Sequence, residues 1–136
     1  MSSVTPSNNF VVDTIALILY LEKRQMGDSV KVAFAKMERQ EATIYIPGMV
    51  VSELLYLSER GRIQATVANV VDLLARFQSC QECPLSIAVI KAAAEINDIP
   101  ELHDRLIAGT ARLLNAPLLT NDSIIQKSHF LQTIWA

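Results

Sequence analysis

The chain has 136 residues, 51% of them hydrophobic, a net charge of −2 at pH 7 and a mean hydropathy of +0.27. That supplies one domain with a single core, and the near-balanced charge excludes a protein that grips nucleic acid through a globally basic surface, so any polyanion must be held locally. No run of about 18 uncharged apolar residues occurs, and the first ten residues lack a basic start and an apolar core, so neither a membrane span nor a secretory signal is expected and a cytoplasmic location follows.

Residues 1–8 are polar and read as a loose N-terminal lead, leaving residues 9–136 as a single domain. Phe10, Val11 and Val12 carry a buried-strand signature; Asp13 and Thr14 close it, and Ile15 to Leu21 opens a helix. A second helix is predicted from Ser29 to Arg39, and the β-branched and aromatic run Thr43 to Ile46 reads as the next strand. Pro47 and Gly48 break that strand, after which Val50, Val51, Leu54, Leu55 and Leu57 recur at helical spacing up to Gly61, with Glu53 at the border of the stripe. A fourth helix is predicted from Ile63 to Phe77, with Val67, Val70, Val71, Leu74 and Phe77 on one side. The joint holding Cys80 and Cys83 has room for a short strand before a helix from Ser86 to Ile96. The last third gives a helix from Leu102 to Leu114, a strand through Ala116 to Leu119, the triplet Thr120, Asn121 and Asp122, and a short strand near Ile134.

Strands alternating with helices across short joints predict a three-layer α/β/α domain around a mainly parallel sheet, whose ligand crevice lies outside the carboxyl ends of the strands. Asp13 and Asp122 fall at such ends. Glu53 lies about two turns into the helix after the second strand and Asp104 opens the helix before a later one, so all four can reach one edge. Each acid alone is explained by a cap, a turn or a solvated helix position. Together they repel unless a cation lies among them, and hard divalent ions such as Mg²⁺ or Mn²⁺ favour such oxygen donors.

The stretches VVDTIALILYL (Val11 to Leu21), IPGMVVSELLYLSERGRI (Ile46 to Ile63) and LHDRLIAGTARLLNAPLLTND (Leu102 to Asp122), with acids in the order Asp, Glu, Asp, Asp, resemble a PIN domain of the kind found as VapC-like toxins of bacterial type II toxin–antitoxin pairs. The resemblance covers nearly the whole chain. It implies that Asp13, Glu53, Asp104 and Asp122 are catalytic, metal-binding acids, with Thr14, Thr120 and Asn121 as hydroxyl or amide support. It further implies one or two Mg²⁺ or Mn²⁺ ions, an RNA phosphodiester as substrate, a homodimer and a small antitoxin protein that blocks the site. Gly109 stands where such domains often carry a second alanine, and the Cys80 to Pro84 joint has no obvious family counterpart.

Outside the four acids the signals are weaker. Lys23, Arg24, Arg60, Arg62, Arg105 and Lys127 are scattered basic residues that read as a solvated face; Arg105, directly after Asp104, is a candidate substrate-binding residue against an ordinary surface ion pair. His103 has no nucleophile or carboxylate partner apparent in its sequence context. Cys80 and Cys83 form a lone CxxC lacking the four-ligand pattern of a closed zinc site, and read as reduced thiols. The small residues Ala108, Gly109 and Ala111 are expected to bring the Asp104 helix close to the sheet. Surplus apolar positions on the Val50 and Val67 helices suggest a dimer or partner interface. Two rival readings are a phosphotransfer domain, disfavoured because Ile15 stands where a dehalogenase-like site repeats its acid, and a catalytically silent PIN-like binding or scaffold module.

Overall fold

Apolar, mostly β-branched runs set β1 and β2, and capping residues start most of the helices, in the computed structural model, which describes residues 8–136. The order is β1 (Asn9–Val12), α1 (Thr14–Leu21), α2 (Asp28–Glu38), β2 (Thr43–Pro47), α3 (Gly48–Glu59), α4 (Val67–Arg76), β3 (Cys80–Cys83), α5 (Ile87–Ala94), α6 (Leu102–Leu114), β4 (Leu118–Leu119), α7 (Ser123–Gln126) and β5 (Thr133–Ile134). The expected lead over residues 1–8 lies outside the described residues except for Asn8, whose carbonyl accepts a hydrogen bond from Thr43 N at 2.8 Å.

All five strands are parallel, in the order β3-β2-β1-β4-β5. From the central β1 the chain winds first to one side and then to the other, so the order reverses between β1 and β4. The crevice of an open α/β sheet forms at that reversal. Val11 pairs with Leu118 and Val12 with Leu119, which sets Asp13 level with Thr120. The central strands are covered on both faces: Val11, Val12, Ile44, Ile46, Leu118 and Leu119 are fully buried and belong to one continuous core.

Local chemistry explains most of the boundaries. Asp13 caps α1 by accepting from Ala16 N, Ser86 caps α5 through Val89 N, and Asn115 ends α6 in the left-handed region at φ 50°. Three expectations need correction. The fourth helix begins at Val67 and not near Ile63, because Thr66 and Asn69 form a reciprocal capping box after the Gly61 turn. Its buried line runs through Val70 and Leu73, on the side that packs against α3 and β3, while Val71 is 60% exposed. Gly109 faces α5 and not the sheet: a methyl group at Gly109 would stand 2.8 Å from the Cβ and the backbone N of Ala93. The small residues therefore serve two faces of α6, with Ala108 and Ala111 in the core and Gly109 against its neighbouring helix. The Cys joint does form a strand, β3, at the sheet edge; both thiols are free, Cys80 buried and Cys83 half-buried.

Candidate functional site

At the reversal between β1 and β4, a cavity of about 680 Å³ is lined by Asp13, Glu53, Asp104 and Asp122. Thr14 and Asn121 also line it. Thr120 does not line it; it is fully buried and hydrogen-bonds the Asp13 carboxylate. Met49, Tyr56, Leu57, Ile107 and Ile125 supply apolar wall.

Each acid is aimed by its own element. Asp13 follows β1 and caps α1, its Oδ1 accepting from Ala16 N at 2.8 Å, and Thr120 also hydrogen-bonds its carboxylate. Asp122 follows β4 and caps α7, Oδ1 accepting from Ile124 N at 2.9 Å and Ile125 N at 3.1 Å. Thr120 Oγ1 accepts from Asp122 N at 3.1 Å, so one threonine ties both strand-end aspartates together. Glu53 projects from the middle of α3, where the Thr14 hydroxyl donates to its Oε1. Asp104 sits in the first turn of α6, which Glu101 caps by accepting from Asp104 N at 2.8 Å. Capping and a shared site are compatible here, because a carboxylate whose oxygen is held by a helix N-terminus has a fixed rotamer.

Crowding is visible in the proton affinities. Burial, partly offset by the Thr120 and Ala16 hydrogen bonds and reinforced by Asp122 and Glu53, pushes the Asp13 carboxyl up to about 6. Burial likewise pushes Asp104 up to about 6, with Asp122, Glu101, Glu53 and Asp13 all adding to it. Among the described residues no lysine or arginine lines the cavity to offset these charges. The donors are hard carboxylate oxygens, which fit Mg²⁺ or Mn²⁺ in kind. They line a common cavity without a closed cage: among the described residues no three His, Cys, Asp or Glu side chains form a ready ligand group.

Two residues here were not legible as partners. His103 lines the cavity, its Nδ1 at 3.9 Å from Glu53 Oε2 and 3.5 Å from Glu101 Oε1, so it does have carboxylate neighbours, one of them on a distant helix. Tyr56 lies one turn beyond Glu53 on the same face of α3, a spacing of three that marks shared exposure to the cavity. Arg105 does not line the cavity, makes no ion pair among the described residues, and has a buried Nε without a hydrogen-bond partner.

A family model described as PIN domain matches residues 10–130. No curated protein matches the chain. Among solved structures, VapBC2 from Rickettsia felis bound to a DNA fragment from its promoter is similar at a TM-score of 0.68 and 20% identity, covering 93% of this chain and 97% of that one. DNA-bound VapBC from Salmonella typhimurium gives 0.66 and 14%, covering 93% and 96%. A toxin–antitoxin complex from Klebsiella pneumoniae gives 0.61 and 15%, covering 91% and 94%. At these identities the likeness speaks for the fold.

Proposed function

The chain belongs to the PIN-domain family, and from that premise we propose that residues 9–136 work as one metal-dependent endoribonuclease domain, the toxin of a toxin–antitoxin pair. The observation that carries this reading is four carboxylates lining one cavity, with no lysine or arginine among its described lining residues. Asp13, Glu53, Asp104 and Asp122 would hold one or two Mg²⁺ or Mn²⁺ ions. Held by these carboxylates, such an ion would supply Lewis-acid chemistry, lowering the pKa of a water that attacks an RNA phosphodiester and stabilising charge on the leaving oxygen. The chain's own contribution is placement. Thr14 holds Glu53, Thr120 fixes Asp13 and the backbone of Asp122, the Asn121 amide lines the wall, and the apolar residues thin the bulk water around the charges.

A protein partner fits the same reading, since the similar solved structures are toxin–antitoxin complexes. Leu55, Tyr56 and Val71 leave apolar surface exposed on α3 and α4, which suits an antitoxin or a second copy in a homodimer. Cytoplasmic action follows from an RNA substrate; among the described residues no helix is long and apolar enough to cross a membrane. One observation favours the alternative, a catalytically silent PIN-like binding module: the acids do not form a closed ligand group.

Cleavage of a mixed RNA pool by the purified chain, with Mg²⁺ or Mn²⁺, with EDTA, and with Asp104→Asn, separates the two. The nuclease reading expects metal-dependent cleavage that Asp104→Asn abolishes while the fold persists. Equal activity in the variant removes Asp104 from the site, and inactivity of the folded, antitoxin-free chain favours the binding module.

A further inference from the structure

Among the described residues the acid cavity has no lysine or arginine of its own, yet a nucleic-acid substrate brings a phosphate with every nucleotide, so the flanking phosphates must be gripped beyond its wall. One rim of the cavity leads to such a grip. Tyr56 lines the cavity and is 53% exposed, and the Arg60 guanidinium lies 4.8 Å from the centre of its ring. Past Arg60 the chain turns at Gly61, with φ 68°, and presents Arg62 beside Arg24 in a second, open pocket of about 470 Å³.

Two of these arginines differ from most of the others. Arg39, Arg76 and Arg112 are matched with Glu41, Asp72 and Glu95, whereas Arg60 and Arg62 have no carboxylate within ion-pair distance among the described residues. The acid in that second pocket, Glu22, is engaged: its Oε2 accepts from Gln64 N at 2.8 Å and Ala65 N at 2.9 Å, and its Oε1 lies 3.4 Å from Arg24. Glu22 thereby ties the loop after α3 to the end of α1 and sets Arg24 and Arg62 side by side. A half-exposed tyrosine with one arginine over its ring, followed by a second arginine that has no carboxylate partner and a third held by Glu22, is an arrangement suited to single strands, with a base against the ring and phosphates on the cations.

We propose that Tyr56, Arg60, Arg62 and Arg24 form a binding track for single-stranded RNA leading out of the acid cavity, an inference that rests on the nuclease reading for the identity of the ligand. Basic residues scattered along the sequence become a directed surface because α1 and α3 end together. The track selects unpaired RNA, since a base must be free of its neighbours to stack on Tyr56.

The test is the fluorescence anisotropy of a ten-nucleotide single-stranded RNA titrated with the full chain carrying Asp104→Asn, in Mg²⁺ at several salt concentrations. Adding Arg60→Glu with Arg62→Glu is expected to weaken binding at least tenfold and to flatten the salt dependence by roughly 1.4 in log–log slope, two contacts at about 0.7 each. Adding Tyr56→Leu is expected to weaken the single strand about tenfold and leave a duplex of the same length unaffected. Lys31→Glu with Lys91→Glu, the same charge change on exposed faces of α2 and α5, is the control for net charge. Unchanged affinity in the arginine pair, an equal loss in the lysine pair, or no binding by the parent overturns the track. If the unsubstituted chain cleaves no RNA while the arginine pair still loses binding, the nuclease reading falls and the track stands; if it cleaves RNA while the arginine pair binds unaltered, the track falls and the nuclease reading stands.

Discussion

Asp13→Asn should make the protein more stable while it removes the activity. The Asp13 carboxyl is buried beside other acids and raised from 3.8 to about 6, a difference that costs its ionised form about 3 kcal/mol in the folded state. Between about pH 4 and 6 the folded chain binds more protons at this position than the unfolded chain does. The stability Asp13 contributes is therefore present below pH 4 and lost as pH rises through 6. Asparagine keeps an oxygen to accept from Ala16 N and so preserves the cap of α1, but it has no charge to desolvate. Taking about 2–3 kcal/mol as the relief at pH 8, the melting temperature should rise by roughly 6–12 °C for a domain of this size. At pH 4 parent and variant should melt within a few degrees of each other. Thermal unfolding by circular dichroism in EDTA, at both pH values, measures this, with Asp13→Ala as a control that also loses the cap and gains about 1 kcal/mol less. A variant less stable than the parent at pH 8, or a gain that does not depend on pH, refutes the reasoning. Added Mg²⁺ should then stabilise the parent and leave the variant unmoved, since only a species that binds the folded state shifts its melting.

Other expectations follow from single contacts. Gly109→Ala should cost about 1–3 kcal/mol in a denaturant titration, because its methyl would overlap α5. Ala93→Gly should rescue it only in part, since the backbone N and Cα of Ala93 lie as close as its Cβ. Gly27→Ala would set a methyl 2.0 Å from the carbonyl oxygen of Trp135, so the emission of this sole tryptophan should shift to the red as the C-terminal end is displaced. Burial pushes the Cys80 thiol up to about 12, so a thiol reagent at pH 8 should modify Cys83 while Cys80 stays protected until the chain unfolds; rapid reaction of both would contradict the burial of Cys80 in β3.

Much of this architecture is written in local pattern. The switch from alternating or continuous apolar runs to helical spacing placed β1, β2, α3 and α6, and Asp13, Asp104 and Asp122 were visible as residues at element ends because caps act within three or four positions of the chain. Features of about one helical turn were not: α7 has four residues, and the start of α4 turned on one side-chain exchange between Thr66 and Asn69. What the sequence alone determined, then, is most of the elements, the alternation that requires a parallel sheet, and four acids at positions from which a single edge is within reach. What only the tertiary structure decided is who meets whom. Pairing of β1 with β4, more than a hundred residues apart, brings Asp13 level with Thr120. Packing of α3 and α6 around the cavity puts His103 beside Glu53, α5 against α6 gives Gly109 its reason, and the common end of α1 and α3 gathers arginines that looked scattered. Capping and periodicity are settled within one turn of chain, whereas a cavity, a raised proton affinity and a charged track depend on distances between residues that only the folded core makes neighbours.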